Sequence, residues 1–213
     1  MGRPSVLLAD DHTLVLEAFK KLLESDFEVV GTVSDGQSLL SIAPRLKPDV
    51  VVVDLSMPGL GGMEAGIQLK KLLPRSKLIV LTMSEDPDIA SEALHHWASG
   101  YLLKKSAGAE LIKAIRDVLH GRSYVTQKIA QGLEEQFVRD PRPEHKRALT
   151  SRQRQVLKLL AEGRTMKEAA DALHVTARTV AFHKYKIMDD FGLKTTSDLV
   201  RFAIREKVIF WNV

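Results

Sequence analysis

The strongest constraint on how this chain can fold is a unit repeated in its first half: a short apolar run that ends on polar residues. SVLLA runs into Asp10-Asp11, VVVV into Asp54, KLIVL into Thr82 and GYLL into Lys104. Such runs, separated by segments of helical period, read as buried parallel strands. Strands are predicted near 5–10, 27–33, 49–54, 77–82 and 100–104, with helices near 13–25, 36–46, 62–73, 86–97 and 108–120. Alternation at this spacing calls for right-handed strand–helix–strand units and a mainly parallel sheet. The run 50–53 is valine throughout, as a central strand covered on both faces demands. The polar residues then meet at the C-terminal edge of the sheet, where open α/β sheets bind ligands. Three carboxylates, a hydroxyl and an ammonium at one edge suit a divalent cation and a phosphoryl group.

Size and charge narrow the reading further. A chain of 213 residues has room for one large or two modest domains, each with its own core. No apolar stretch approaches the roughly 20 residues that a membrane helix requires, so no membrane partner is expected. The start, MGRPSVLLADD, lacks the apolar core and cleavage site of a signal peptide. The absence of cysteine excludes a disulfide framework and a thiolate zinc site, and a cytoplasmic location is expected. The net charge of +4 is unevenly spread. Residues 1–120 hold 13 Lys+Arg against 16 Asp+Glu (−3), and residues 147–213 hold 13 against 7 (+6). A basic C-terminal piece on an acidic N-terminal one suggests a nucleic-acid-binding module attached to something else. A solvated surface with a chance imbalance is the plainer alternative.

Gly121 ends the last helix of the first half. From Val125 the apolar positions Val125, Ile129, Leu133 and Phe137 recur every four residues, which predicts a linker helix. Asp140-Pro141-Arg142-Pro143 breaks it and marks a domain boundary. The expected organisation is therefore 1–121, a linker over 122–146, and 147–213. After the boundary every signal is helical. Thr150-x-x-Gln153 and Thr165-x-x-Glu168 are capping-box patterns. A helix near 166–173, a turn His174-Val175-Thr176 and a longer helix to about Asp190 have the spacing of a helix-turn-helix. A last amphipathic helix is predicted over about 196–206.

LLADDH, VVVDLSMPG, VLTMS and GYLLKKS, together with LTSRQRQVLKLLAEG and HVTARTVAFHKYKIMDDFGL, resemble in order and spacing a bacterial two-component response regulator of the NarL/FixJ type. The likeness spans nearly the whole chain. It implies a receiver with a flavodoxin-like, doubly wound, five-stranded parallel sheet, followed by a small all-α LuxR-type helix-turn-helix domain. It makes Asp54 the phosphoacceptor, supplied by a sensor histidine kinase. Mg²⁺ would be held by Asp10, Asp11, Asp54 and the backbone carbonyl of Ser56, and Lys104 and Thr82 would bind the phosphoryl oxygens. Thr82 and Tyr101 would form the switch pair, altering the face built from the fourth helix, fifth strand and fifth helix. Each residue also has a plainer reading. Asp11 suits a helix cap, Thr82 a structural hydroxyl, Lys104 and Lys105 edge charges, and Tyr101 a half-buried strand residue. Asp54 is harder to dismiss, because a carboxylate ending four valines needs a partner. Two departures stand out. Lys105 follows the lysine where proline is common, and Trp97 replaces a small residue, either packed beneath the switch face or exposed as a contact surface.

In the basic half, a helical projection of residues 178–191 puts Val180, Ile187 and Phe191 on one arc with His183 at its margin. That arc is the expected buried stripe, with His183 a packed core residue rather than a ligand. Arg178, Phe182, Tyr185 and Asp189 lie opposite. The resemblance maps base contacts onto Ala181, Phe182 and Tyr185. Arg178, Thr179, Lys184 and Lys186 are candidates for phosphate contacts, which position without specifying. One such domain covers a short half-site, so a homodimer on double-stranded DNA is expected. Leu199, Phe202 and Ala203 of the last helix serve either that dimer or the domain's own core. The function that follows is a phosphorylation-controlled transcription factor with no enzymatic turnover. A DNA-binding regulator whose receiver is a constitutive dimerisation module is the alternative. A phosphohydrolase of the haloacid-dehalogenase type fits poorly, since it needs a second Asp where this chain has Ser56.

Overall fold

The computed structural model of the chain describes residues 2–139 and 149–209, in two compact units divided at Arg139. The first unit alternates β1 (Ser5–Ala9), α1 (Thr13–Leu23), β2 (Glu28–Val33), α2 (Gly36–Leu46), β3 (Val50–Asp54), α3 (Gly62–Leu72), β4 (Lys77–Thr82), α4 (Pro87–His96), β5 (Gly100–Leu103) and α5 (Ala107–Leu119). A short β6 (Tyr124–Val125) and α6 (Gln127–Arg139) complete it. The strands form one parallel sheet in the order β2-β1-β3-β4-β5-β6.

The sheet has six strands, where five are expected from the sequence. Tyr124 pairs with Gly100 and Val125 with Tyr101, so Val125 belongs to a strand and the helix begins two residues later. The boundary expected at 121 accordingly moves to 139, because β6 and α6 pack with the sheet unit. The proline break at 140–143 lies outside the described residues.

Residues alternate between the two faces of the sheet, as a period of two requires. Val6, Leu8, Val50, Val52, Ile79, Leu81 and Leu102 pack under α1 and α5. Leu7, Val51, Val53, Leu78 and Val80 are equally buried on the opposite face, which α2, α3 and α4 cover. The order of connection reverses between β1 and β3, and a crevice opens at the C-terminal ends of the strands at such a switch point. Ala9 lies beside Val53, so Asp10 and Asp54 leave the sheet as neighbours.

The second unit holds α7 (Ser151–Ala161), α8 (Met166–Ala172), α9 (Ala177–Asp190) and α10 (Thr196–Arg205). Both expected capping boxes are formed with reciprocal bonds, and Thr195 with Asp198 makes a third at α10. Val156, Leu160, Val180, Ile187, Leu199, Phe202 and Ala203 make the core. Leu199, Phe202 and Ala203 thus belong to the domain's own interior, where the Phe202 ring centre lies 4.3 Å from that of Phe191, the rings tilted by 43°. Among the described residues no helix is long and apolar enough to cross a membrane.

Candidate functional site

Three strand ends converge on one ion cluster. Asp54 closes β3 and Asp10 follows β1, and both are almost fully buried at 1% and 3% exposed. Lys104, just past β5, reaches between them: its Nζ lies 2.9 Å from Asp54 Oδ2 and 2.8 Å from Asp10 Oδ2. Two buried carboxylates thus share one ammonium. Burial pushes the Asp54 carboxyl above its ordinary range, against the pull of Lys104 and of the Ser56 backbone N–H. Burial alone would lower the Lys104 ammonium, but its two carboxylate partners outweigh that and raise it. Asp54 Oδ1 is buried and accepts no well-formed hydrogen bond from the described residues.

Asp11 and His12 sit at the rim. His12 Nδ1 is 2.8 Å from Asp11 Oδ1 and 3.2 Å from Asp10 Oδ1. The α1 N-cap is His12, without a side-chain cap, so Asp11 does not cap that helix. Ligand atoms of Asp10, Asp11, His12 and Asp54 all lie within 4.8 Å of one another. Hard carboxylate oxygens, one of them buried and unmet, fit a cation such as Mg²⁺. Sequence reasoning passed over His12, although it stands in the LLADDH run.

The remaining receiver residues form a second, linked arrangement. The Ser84 N–H donates to the Thr82 hydroxyl at 3.1 Å, and the Tyr101 hydroxyl donates to the Ser84 carbonyl at 3.1 Å. Tyr101 is wholly buried rather than half-buried, and β6 pairs along the outer edge of its strand. Burial raises its phenol well above the ordinary value. The face of α4, β5 and α5, which the sequence marks as the one the switch would alter, is partly covered here by β6 and α6. Lys105 and Lys128 of α6 both pair with Glu85. Trp97 is packed, not exposed: its Nε1–H donates to Met63 Sδ at 3.3 Å and its ring lies against Gly66. A Cβ at Gly66 would come within 2.6 Å of the indole, so the bulk of Trp97 is accommodated by a glycine on α3.

On α9, Val180, His183 and Ile187 are buried and Phe191 is half-buried. Tyr185 is the most exposed large side chain of the helix, at 59%, with Lys184 Nζ 5.5 Å from its ring centre. Ala181, Phe182, Lys184, Lys186 and Arg178 are half-buried, and Lys186 Nζ lies 3.6 Å from Asp190. Thr179 corrects the sequence reading. It is buried, its backbone N–H is capped by Thr176, and the two hydroxyls are 3.0 Å apart. Thr179 therefore closes the start of α9 instead of facing a phosphate.

With this geometry in place, comparison with known proteins is decisive. Residues 6–116 match the response regulator receiver domain, and residues 147–203 match the luxR family of bacterial regulatory proteins. Oxygen regulatory protein NreC of Staphylococcus aureus (strain JH9) is 35% identical over 213 residues, covering 96% of this chain and 98% of the relative. The chain is a two-component response regulator of the NarL/FixJ type. Among solved structures, Salmonella typhimurium RcsB is 30% identical with a TM-score of 0.61, over 95% of this chain and 98% of that one. Salmonella RcsB bound to promoter P1flhDC with the phosphomimetic BeF3- gives 0.64 at 30% identity, over 94% and 98%. As a receiver joined to a LuxR-type domain, this response regulator is a DNA-binding transcription regulator.

Proposed function

We propose that this response regulator accepts a phosphoryl group on Asp54 from a sensor histidine kinase, and that the modification controls dimerisation and promoter binding. The observation that carries the reading is the Asp54 carboxylate, buried beside Lys104 with Oδ1 unmet. An Asp54 oxygen attacks phosphorus, the bond from phosphorus to the donor's imidazole nitrogen breaks, and the imidazole departs with that electron pair. Asp10, Asp11, Asp54 and the Ser56 carbonyl would hold Mg²⁺, which would supply the positive charge that two approaching anions require. Lys104 then exchanges a carboxylate partner for phosphoryl oxygens, as a point charge free of fixed geometry can. Thr82 turns its hydroxyl to one of those oxygens.

On DNA, the exposed Tyr185 with Ala181 and Phe182 would read base edges, the alanine methyl and aromatic rings favouring thymine methyls. Lys184, Lys186 and Arg178 would hold phosphates. The test is intact mass after incubation with acetyl phosphate and Mg²⁺. A gain of about 80 Da, one phosphoryl group replacing one proton, is expected in the wild type and absent from Asp54→Asn and from samples without Mg²⁺. No gain would leave a DNA-binding regulator with a constitutive receiver module.

A further inference from the structure

The end of the receiver unit folds back onto its switch. Thr126, between β6 and α6, donates its N–H to the Tyr101 carbonyl at 3.0 Å. Its hydroxyl receives the Leu103 N–H at 3.3 Å and donates to Glu110 at 3.0 Å. The linker is therefore fastened to β5 and α5 at its base, while Ile129 of α6 is buried. Further along, α6 lies on α4: a Cβ at Gly132 would come 3.1 Å from the Pro87 ring, so a small residue lets the helices approach. A charged contact joins α6 to the loop between β4 and α4: Lys128 pairs with Glu85. Glu85 also holds Lys105, the residue after the site lysine.

Glu85 is next in the chain to Ser84, and Ser84 is tied by its N–H to the Thr82 hydroxyl and by its carbonyl to Tyr101. Any movement of the Thr82 hydroxyl toward Asp54 thus acts on Ser84 first and on Glu85 one residue later. We propose that α6 is a clasp on the receiver, held by Glu85 on Lys128 and released when Thr82 turns to a phosphoryl group on Asp54. The inference rests on the phosphorylation reading above and adds to it a route: the signal leaves the receiver through the helix that leads into the chain joining the two units. The α4–β5 surface is not the first reader, because β6 and α6 already cover it.

Hydrogen exchange of amides 127–135 in the full-length protein tests the clasp, with intact mass measured on the same samples. Wild type is expected to exchange there about fivefold faster once phosphorylated, the scale that one exposed ion pair allows. Glu85→Ala and Lys128→Met are each expected to show faster exchange without any phosphodonor. Both should still gain the phosphoryl mass and keep wild-type protection in β1, β3 and β4. Wild type that gains the mass with unchanged α6 exchange would overturn the proposal, as would both variants keeping the wild-type rate. Absence of the mass gain overturns the phosphorylation reading and the trigger with it. The variant arm, run without phosphodonor, judges the clasp by itself.

Discussion

Replacing Gly66 by alanine should change sign in its effect on stability according to what occupies position 97. In an ordinary helix interior the exchange stabilises by about 1 kcal/mol, because glycine loses more backbone freedom on folding. In this receiver the new methyl would sit 2.6 Å from Cη2 and Cζ3 of Trp97. The indole is 3% exposed and tied to the Met63 sulfur, so it has nowhere to swing. Overpacking of that kind costs about 1–3 kcal/mol, leaving Gly66→Ala destabilising by about 1 kcal/mol. Trp97→Ala alone should cost about 3–5 kcal/mol through the cavity it opens. In that background the methyl enters vacated space, and Gly66→Ala should stabilise by about 1 kcal/mol. The coupling between the two sites is then about 2 kcal/mol, within the range for residues in contact. Native-state hydrogen exchange of β3 and β4 amides in the full-length protein reads receiver stability apart from the second unit. Equal effects of Gly66→Ala in the two backgrounds, within about 0.5 kcal/mol, would refute the packing argument.

The ion cluster and the recognition helix make further predictions. The raised Asp54 carboxyl means that the fold disfavours its ionised form: stability available to the protonated group is lost as pH rises through the folded value, and at neutral pH the penalty stands. Asp54→Asn should therefore stabilise the receiver by about 0.5–2 kcal/mol in the absence of Mg²⁺. Added Mg²⁺ should raise the wild-type melting temperature more than the variant's; equal melting of the two proteins in chelator would count against the burial penalty. On DNA, Lys184→Ala should weaken binding similarly on all duplexes and reduce the salt slope by about 1, whereas Tyr185→Ala should cost about 1–3 kcal/mol on a selected site and little on random DNA. Fluorescence anisotropy across a salt series distinguishes the two, and the reverse pattern would overturn the assignment.

The sheet and its polar edge were legible in the sequence because each apolar run ends on a residue that cannot stay buried without a partner. Order of connection and right-handed crossovers then leave few ways to arrange such strands. The caps of α7 and α8 were legible for a similar reason: Thr150 with Gln153, and Thr165 with Glu168, satisfy each other within four residues. What escaped depends on pairs distant in the chain or on elements too short for a period. Tyr124-Val125 has two residues, so no alternation marks it as a strand, and without it Tyr101 reads as half-buried. Trp97 and Gly66 are 31 positions apart, and neither suggests the other until α3 and α4 lie side by side. Thr179 projects near the margin of the buried arc, and only its contact with Thr176 decides that it faces inward.

The parts of the receiver differ in how many partners each can satisfy, and that difference makes a switch possible. Asp54 ends a strand paired on both sides, and Asp10 directly follows another. Lys104 sits at a point of competition, with two carboxylates already claiming one ammonium; a phosphoryl group would be a third claimant. Thr82 offers one hydroxyl, now receiving the Ser84 N–H, and Glu85 is shared by two lysines. The Glu85 pairs are worth little, since exposed pairs contribute a few tenths of a kcal/mol to about 1 kcal/mol, and they follow the Thr82–Ser84 bond one residue further along the chain. A covalent event at Asp54 needs only to outbid the weakest of them to shift the population of the next. The path from Thr82 through Ser84 and Glu85 to Lys128 is continuous, lies wholly within the first unit, and ends on the last helix before the DNA-binding domain in the sequence.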